Sequence, residues 1–130
     1  MFALGGRAYV YLCYGIHELL NVVTNVAGIP HAVLIRGIFP TLGLEEQLKN
    51  RKATLYKKGL MNGPGKVSQA LGINRTHNNH SLLSQNLGIY KGIMVQDTFI
   101  QSGPRIGIDY ALEWKDKPWR FWLEEKHWNV

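Results

Sequence analysis

One stretch constrains the fold of this chain more than any other: Gly6-Arg7-Ala8-Tyr9-Val10-Tyr11-Leu12-Cys13-Tyr14-Gly15-Ile16-His17-Glu18-Leu19-Leu20-Asn21-Val22-Val23. Residues 8–14 are apolar or aromatic throughout and contain no breaker, which suits a strand buried on both faces better than a helix. Alternation along that strand turns Tyr9 and Tyr11 one way and Val10, Leu12 and Tyr14 the other. Tyr14-Gly15 then interrupts the run and residues 19–26 resume it. Strand, glycine-bearing turn, strand is the pattern of a β-hairpin.

The tip of this hairpin is odd. Tyr14, Ile16 and His17 gather in a turn, where side chains are ordinarily polar. Apolar bulk facing water needs a reason. Either the tip folds back on the core of its own chain, or it enters something else, such as a gap between stacked base pairs. A wedge inserted from the minor groove unstacks a base step, and the new contacts must offset that cost.

Several further blocks stand in order along the chain: Val33-Leu34-Ile35-Arg36, Gly63-Pro64-Gly65-Lys66, Gln69-Ala70-Leu71-Gly72-Ile73-Asn74, Pro104-Arg105-Ile106-Gly107-Ile108 and Pro118-Trp119-Arg120-Phe121. With the segment from Arg7 through Tyr14-Gly15 to Asn21, they make the chain resemble the alkyladenine (3-methyladenine, methylpurine) DNA glycosylase family. The blocks keep the family's order and separations over nearly the whole length, which is far more specific than any single motif. The resemblance implies an α+β fold: one compact domain, residues 1–130, around a curved antiparallel sheet from which the hairpin protrudes into the DNA minor groove. It implies a base-excision-repair hydrolase that cuts the N-glycosidic bond of alkylated purines (3-methyladenine, 7-methylguanine, hypoxanthine) after base flipping. The alternative is a DNA-binding module that keeps the wedge without catalysis.

The resemblance also assigns roles. A base inside a duplex is inaccessible, so the nucleotide must be extruded and held in a pocket. Tyr14, with Ile16 and His17, is expected to intercalate in the vacated space. Tyr11 is expected to stack on the extruded base, whose alkylated, cationic forms are attracted to an electron-rich ring by about 0.5–2 kcal/mol. Asn21 and Leu34 line the pocket where a guanine amino group must be excluded, and Arg36 positions water and the catalytic carboxylate. Gly65, Lys66 and Arg75 are expected to contact the DNA backbone. In the family, however, the Met-Phe segment is preceded by a Glu-Thr-Glu-Ala-Tyr motif and a histidine, whereas here Met1-Phe2 opens the sequence. The chain is therefore expected to be the carboxy-terminal two thirds or so of the domain, to have no catalytic glutamate, and to be inactive alone. Glu18 is the one carboxylate in the hairpin, and its place near the tip predicts a solvated residue rather than a substitute base.

The residues themselves leave some of these roles open. An arginine between Ile35 and Gly37 in the apolar run 31–39 is costly unless its guanidinium finds a partner, a cleft or water at the strand end. With the family carboxylate missing, Arg36 is expected to stand unpaired. The glycines around Pro64 permit a tight turn into a helix start that, with Lys66, suits a phosphate oxygen. It is not a P-loop, since the glycine-to-lysine spacing differs and no Ser or Thr directly follows the lysine. Residues 42–58 are predicted as a helix with Thr41 as N-cap, Glu45 and Glu46 near its start, and lysines in its second half, as the macrodipole prefers. Its charges suit a solvated face first and a DNA-facing patch second. His77-Asn78-Asn79-His80 offers too few ligands for a metal and is predicted as a polar surface loop. Residues 89–96 and 118–123 are predicted strands, the latter turning Trp119, Phe121 and Leu123 inward, and the four tryptophans from Trp114 to Trp128 are expected in the core.

Composition adds bounds. The 15 Lys and Arg against 9 Asp and Glu give a net charge of +6, which favours polyanionic partners and fits double-stranded DNA carrying alkylated bases. No apolar run approaches a bilayer crossing, so no membrane partner is expected. A single cysteine, Cys13, cannot form an internal disulfide, and the simplest compartment is reducing and intracellular, cytoplasm or nucleus. A monomer without metal or cofactor is expected, since attack of water on a good leaving base needs none.

Overall fold

A computed structural model describes residues 1–127. The chain is α+β and divides into two units, Met1–Tyr90 and the part from Lys91 onward. In the first, β1 (Ala8–Cys13), β2 (His17–Val23) and β3 (Ala32–Leu34) form an antiparallel sheet in that order. β1 and β2 are the hairpin, in register from Ala8 opposite Val22 to Cys13 opposite His17. The turn between them closes with the Ile16 amide donating to the Cys13 carbonyl at 3.1 Å. Tyr14 (φ 51°) and Gly15 (φ 67°) are both left-handed, the condition for a type I′ turn, whose twist matches that of the strands it joins.

Cross-strand partners share a face, so the sheet sorts its residues cleanly. Ala8, Val10 and Leu20 lie on one face and pack with Ile73 and Leu82 in a buried cluster, with Val22, Ile35 and Leu87 against it. Tyr9, Tyr11, Asn21 and Leu34 lie on the other. β1 is an edge strand, and residues 77–80 cover it: Ala8 N–H donates to His80 O (2.8 Å), Asn79 N–H to Ala8 O (2.8 Å), and Val10 N–H to Asn78 Oδ1 (2.9 Å). The loop read as polar surface thus satisfies backbone groups that would otherwise be an open pairing template.

Three predicted elements are shorter than expected. The strand 31–39 pairs with β2 only over Ala32–Leu34, because its later backbone turns to another segment. There Gly63 N–H donates to Arg36 O at 2.6 Å, Ile38 N–H donates to Met61 O at 3.3 Å, and Gly37 bridges Asn62. The second hairpin strand ends at Val23 rather than 26. The helix predicted over 42–58 is α1, Leu44–Asn50, capped at its start by Gly43 rather than Thr41. It ends because Lys52 takes a left-handed φ of 51°, letting Lys52 N–H donate to Lys49 O (3.0 Å) and Ala53 N–H to Leu48 O (2.9 Å). That bond pair is a Schellman motif built without its usual glycine. α2 (Pro64–Leu71) has Pro64 in its first turn and closes the same way at Gly72 (φ 66°). Here Ile73 N–H donates to Ser68 O at 2.8 Å and Gly72 N–H to Gln69 O at 3.2 Å.

In the second unit, β4 (Ile100–Gly103) and β5 (Arg120–Leu123) pair antiparallel. Residues 89–96 form no strand: pairing begins only after the 3₁₀ turn Asp97–Phe99, and Ile93 and Met94 face water. Nor do Trp119 and Phe121 point inward, being 51% and 64% exposed. The opposite face of β5 is the more covered, because Arg120 lies 4.2 Å over the Trp122 ring and Gly103 leaves room for that ring. A side chain at Gly103 would start 3.3 Å from Trp122. Trp114 and Trp119 are not core residues; they stack on each other at 5.5 Å with Arg105 5.7 Å from the Trp119 ring. Trp128 lies outside the described residues. The Lys126 ammonium, and then Gln101, hold the Glu124 carboxyl below its ordinary value.

Candidate nucleic-acid interface

The interface starts from the sheet face opposite the buried cluster. Tyr9, Asn21 and Leu34 stand side by side across three strands, since Tyr9 opposes Asn21 and Asn21 opposes Leu34. Tyr11 follows two residues after Tyr9, their ring centroids 5.3 Å apart and tilted by 32°. Asn21 is buried, and its Nδ2 donates to Tyr9 O (3.2 Å) and Leu19 O (3.4 Å), so the carboxamide is anchored by backbone acceptors. A buried amide keeps its place only with such partners. Arg36, two residues beyond Leu34, is half-buried and is not free, contrary to the expectation of an unpaired side chain.

The hairpin tip does not fold back on its own core. Tyr14 is 84% exposed, Ile16 is 73% exposed, and His17 is exposed beside them. Two contacts brace the strand that returns from this tip. Gly65, in the first turn of α2, lies against His17, so that a Cβ there would stand 3.1 Å from the ring. Next in sequence, Glu18 accepts a bond from Arg75 Nε at 3.3 Å. Glu18 is therefore not the solvated residue its position near the tip predicts: its side chain is 22% exposed, and Oε2 is buried without a hydrogen-bond partner. Opposite Leu12, it also lies on the sheet face away from Tyr9, Tyr11 and Asn21.

The turn carrying Arg75 is itself fixed. Asn74 Oδ1 accepts from Thr76 N–H (2.9 Å), while His77 Nδ1 accepts from Asn74 N–H (3.1 Å), a capping box at the start of the 3₁₀ turn Arg75–His77. Both histidines of the 77–80 loop serve locally, His80 Nε2 meeting Ser84 Oγ at 2.7 Å. Lys66 is exposed, and its Nζ donates to Gly59 O at 3.2 Å. Gly65 and Arg75 thus contact consecutive residues of the returning strand, His17 and Glu18, and Lys66 follows Gly65 on the first turn of α2. Sequence alone missed two residues: Glu18, whose partner is 57 positions away, and Asn78, which serves the β1 edge.

The exposed aromatic tip and the row of Tyr9, Tyr11 and Asn21 thus belong to one hairpin, with Gly65 and Arg75 in contact with its returning strand. Residues 1–127 match the methylpurine-DNA glycosylase (MPG) family, and the chain belongs to that family. It is 48% identical to the "Putative 3-methyladenine DNA glycosylase" of Chlamydia felis over 97% of this chain and 64% of that protein. It is 42% identical to the "DNA-3-methyladenine glycosylase" of Arabidopsis thaliana over 98% of this chain and 51% of the relative. The chain thus spans between about half and two thirds of the length of these relatives. Among the described residues no helix is long and apolar enough to cross a membrane, and no three His, Cys, Asp or Glu cluster as metal ligands.

Proposed function

We propose that this chain is the DNA-engaging part of a base-excision-repair glycosylase for alkylated purines, and that it distorts duplex DNA by inserting Tyr14. The observation that carries this is the 84% exposure of Tyr14 at a left-handed turn. A tyrosine ring held bare in a left-handed conformation adds little packing to its own fold, which directs attention to a partner. Ile16 and His17 flank the wedge. Tyr11, Asn21, Leu34 and Arg36 offer the surface for an extruded base, and Gly65, Lys66 and Arg75 face the sugar-phosphate backbone. The substrate classes are 3-methyladenine, 7-methylguanine and hypoxanthine in double-stranded DNA. The chain acts as a monomer where DNA is, inside the cell, and needs neither metal nor cofactor.

Hydrolysis needs a general base near the water that attacks the sugar. Glu18 points away from the Tyr11 and Asn21 face and is held by Arg75, so it is not placed for that work. We infer that the chain alone binds and distorts damaged DNA without releasing a base, which is also the behaviour of a non-catalytic binding module. The test is an excision assay on duplexes carrying a single hypoxanthine or 3-methyladenine, read as alkali-cleavable abasic sites beside a binding titration. Lesion-dependent binding without cleavage is expected. Base release by the chain alone would refute the inactivity, and absence of DNA binding would refute the DNA reading itself.

A further inference from the structure

We propose that Glu18 is a positioning residue that restrains Arg75 and thereby lowers affinity for undamaged duplex. The proposal rests on the DNA reading above. Glu18 engages only Nε of Arg75, at 3.3 Å. The Arg75 side chain is 63% exposed, and its two Nη groups make no bond among the described residues. A carboxylate bound at Nε leaves the outer edge of the guanidinium, with its paired N–H groups, free to meet a phosphate. Arg75 rides on a turn fixed by the Asn74–His77 capping box and by bonds from residues 79 and 80 to β1. Glu18 therefore adds aim and subtracts charge.

The subtraction acts on the phosphate contacts, which are all that undamaged DNA offers. Non-specific affinity comes almost wholly from cations that displace counterions at phosphates. A carboxylate within a few ångströms of one of those cations cancels part of its attraction and is itself repelled by the backbone at distances below the Debye length of about 10 Å. Binding to a lesion draws in addition on wedge and pocket contacts that do not depend on Arg75, so the same factor applies on top of a higher affinity.

The experiment compares the chain with its Glu18→Gln and Arg75→Ala variants. Each is titrated against an undamaged duplex and the same duplex with one hypoxanthine, over a range of salt concentrations. Gln keeps the shape and removes the charge, and because the Glu18 side chain is only 22% exposed, the melting point of the variant is measured beside its binding. Glu18→Gln is expected to bind the undamaged duplex roughly three- to tenfold more tightly and to steepen the salt slope by about one. Arg75→Ala is expected to reduce the parent's slope by clearly less than about one, because Glu18 already offsets its charge. If Glu18→Gln binds undamaged DNA no more tightly, or tightens it equally when Arg75 is also replaced by Ala, the proposal fails while the DNA reading stands. If the parent shows no salt-dependent binding to either duplex, the DNA reading fails and this proposal with it. Should Glu18→Gln melt too low to assay, the Arg75→Ala slope decides alone: a loss of a full unit overturns the proposal.

Discussion

Gly65 meets the His17 imidazole so closely that a Cβ placed on it would lie 3.1 Å from both Cγ and Nδ1 and 3.2 Å from Cβ of that histidine. The first turn of α2 and the root of the hairpin tip are thus in backbone-to-ring contact. Gly65→Ala forces the exposed His17 ring to shift by a few tenths of an ångström, a cost set against the gain of about 0.5–1 kcal/mol for alanine over glycine in a helix. The expected outcome is a urea midpoint that falls short of that helix gain, together with weaker DNA binding, because the displaced histidine flanks the wedge. A variant more stable than the parent by the full helix gain would show that the contact is not tight.

Tyr14 is strained where it stands. At φ 51° a residue that tolerates the left-handed region is preferred, and 84% exposure means that little packing is lost by removing the ring. Tyr14→Asn is therefore expected to raise stability by about 0.5–1 kcal/mol in urea unfolding while weakening lesion binding. Stabilisation accompanied by loss of binding identifies a residue kept for a partner. Destabilisation by more than about 1 kcal/mol would instead give Tyr14 a structural role.

Asn78 accepts the Val10 amide on the open side of β1. Asn78→Ala leaves that amide without its acceptor, at a cost of about 1–2 kcal/mol. Hydrogen exchange at Val10 should accelerate well before the rest of β1, and the uncovered edge should make the variant self-associate at high concentration. Unchanged exchange at Val10 would contradict this account of the loop.

Lys52 closes α1 from the left-handed region without glycine's freedom. Lys52→Gly is expected to stabilise the chain by about 0.5–1 kcal/mol, read from the thermal midpoint. A drop in that midpoint would mean that the lysine side chain has a use that outweighs its backbone strain.

These residues also show what could be read in advance. The hairpin was legible because its apolar run, its Tyr14-Gly15 turn and its alternation all agree, and consistent local signals of that kind specify structure. The end of α1 was not legible, because Lys52 carries no mark of a left-handed residue. Strand 31–39 was overextended because nothing in its own sequence says that Arg36 O will serve Gly63 rather than a sheet neighbour. Alternation in 118–123 gave the right strand and the wrong buried face, since the deciding partner, Gly103, lies on another strand. The common facing of Tyr9 and Tyr11 follows from period two within the hairpin, whereas Asn21 joins them through the register that sets it opposite Tyr9. Glu18 was misread because its partner stands 57 residues away, a distance no local pattern spans.

The most direct test of the central claim is the fluorescence of 2-aminopurine placed beside a hypoxanthine in a duplex, because that base brightens when it unstacks. The parent chain should raise the emission severalfold at saturation, and Tyr14→Ala, at concentrations that saturate its own binding, should leave the emission near that of free duplex. An equal rise with Tyr14→Ala, or no rise with the parent once it is bound, would contradict the insertion of Tyr14 into the base stack.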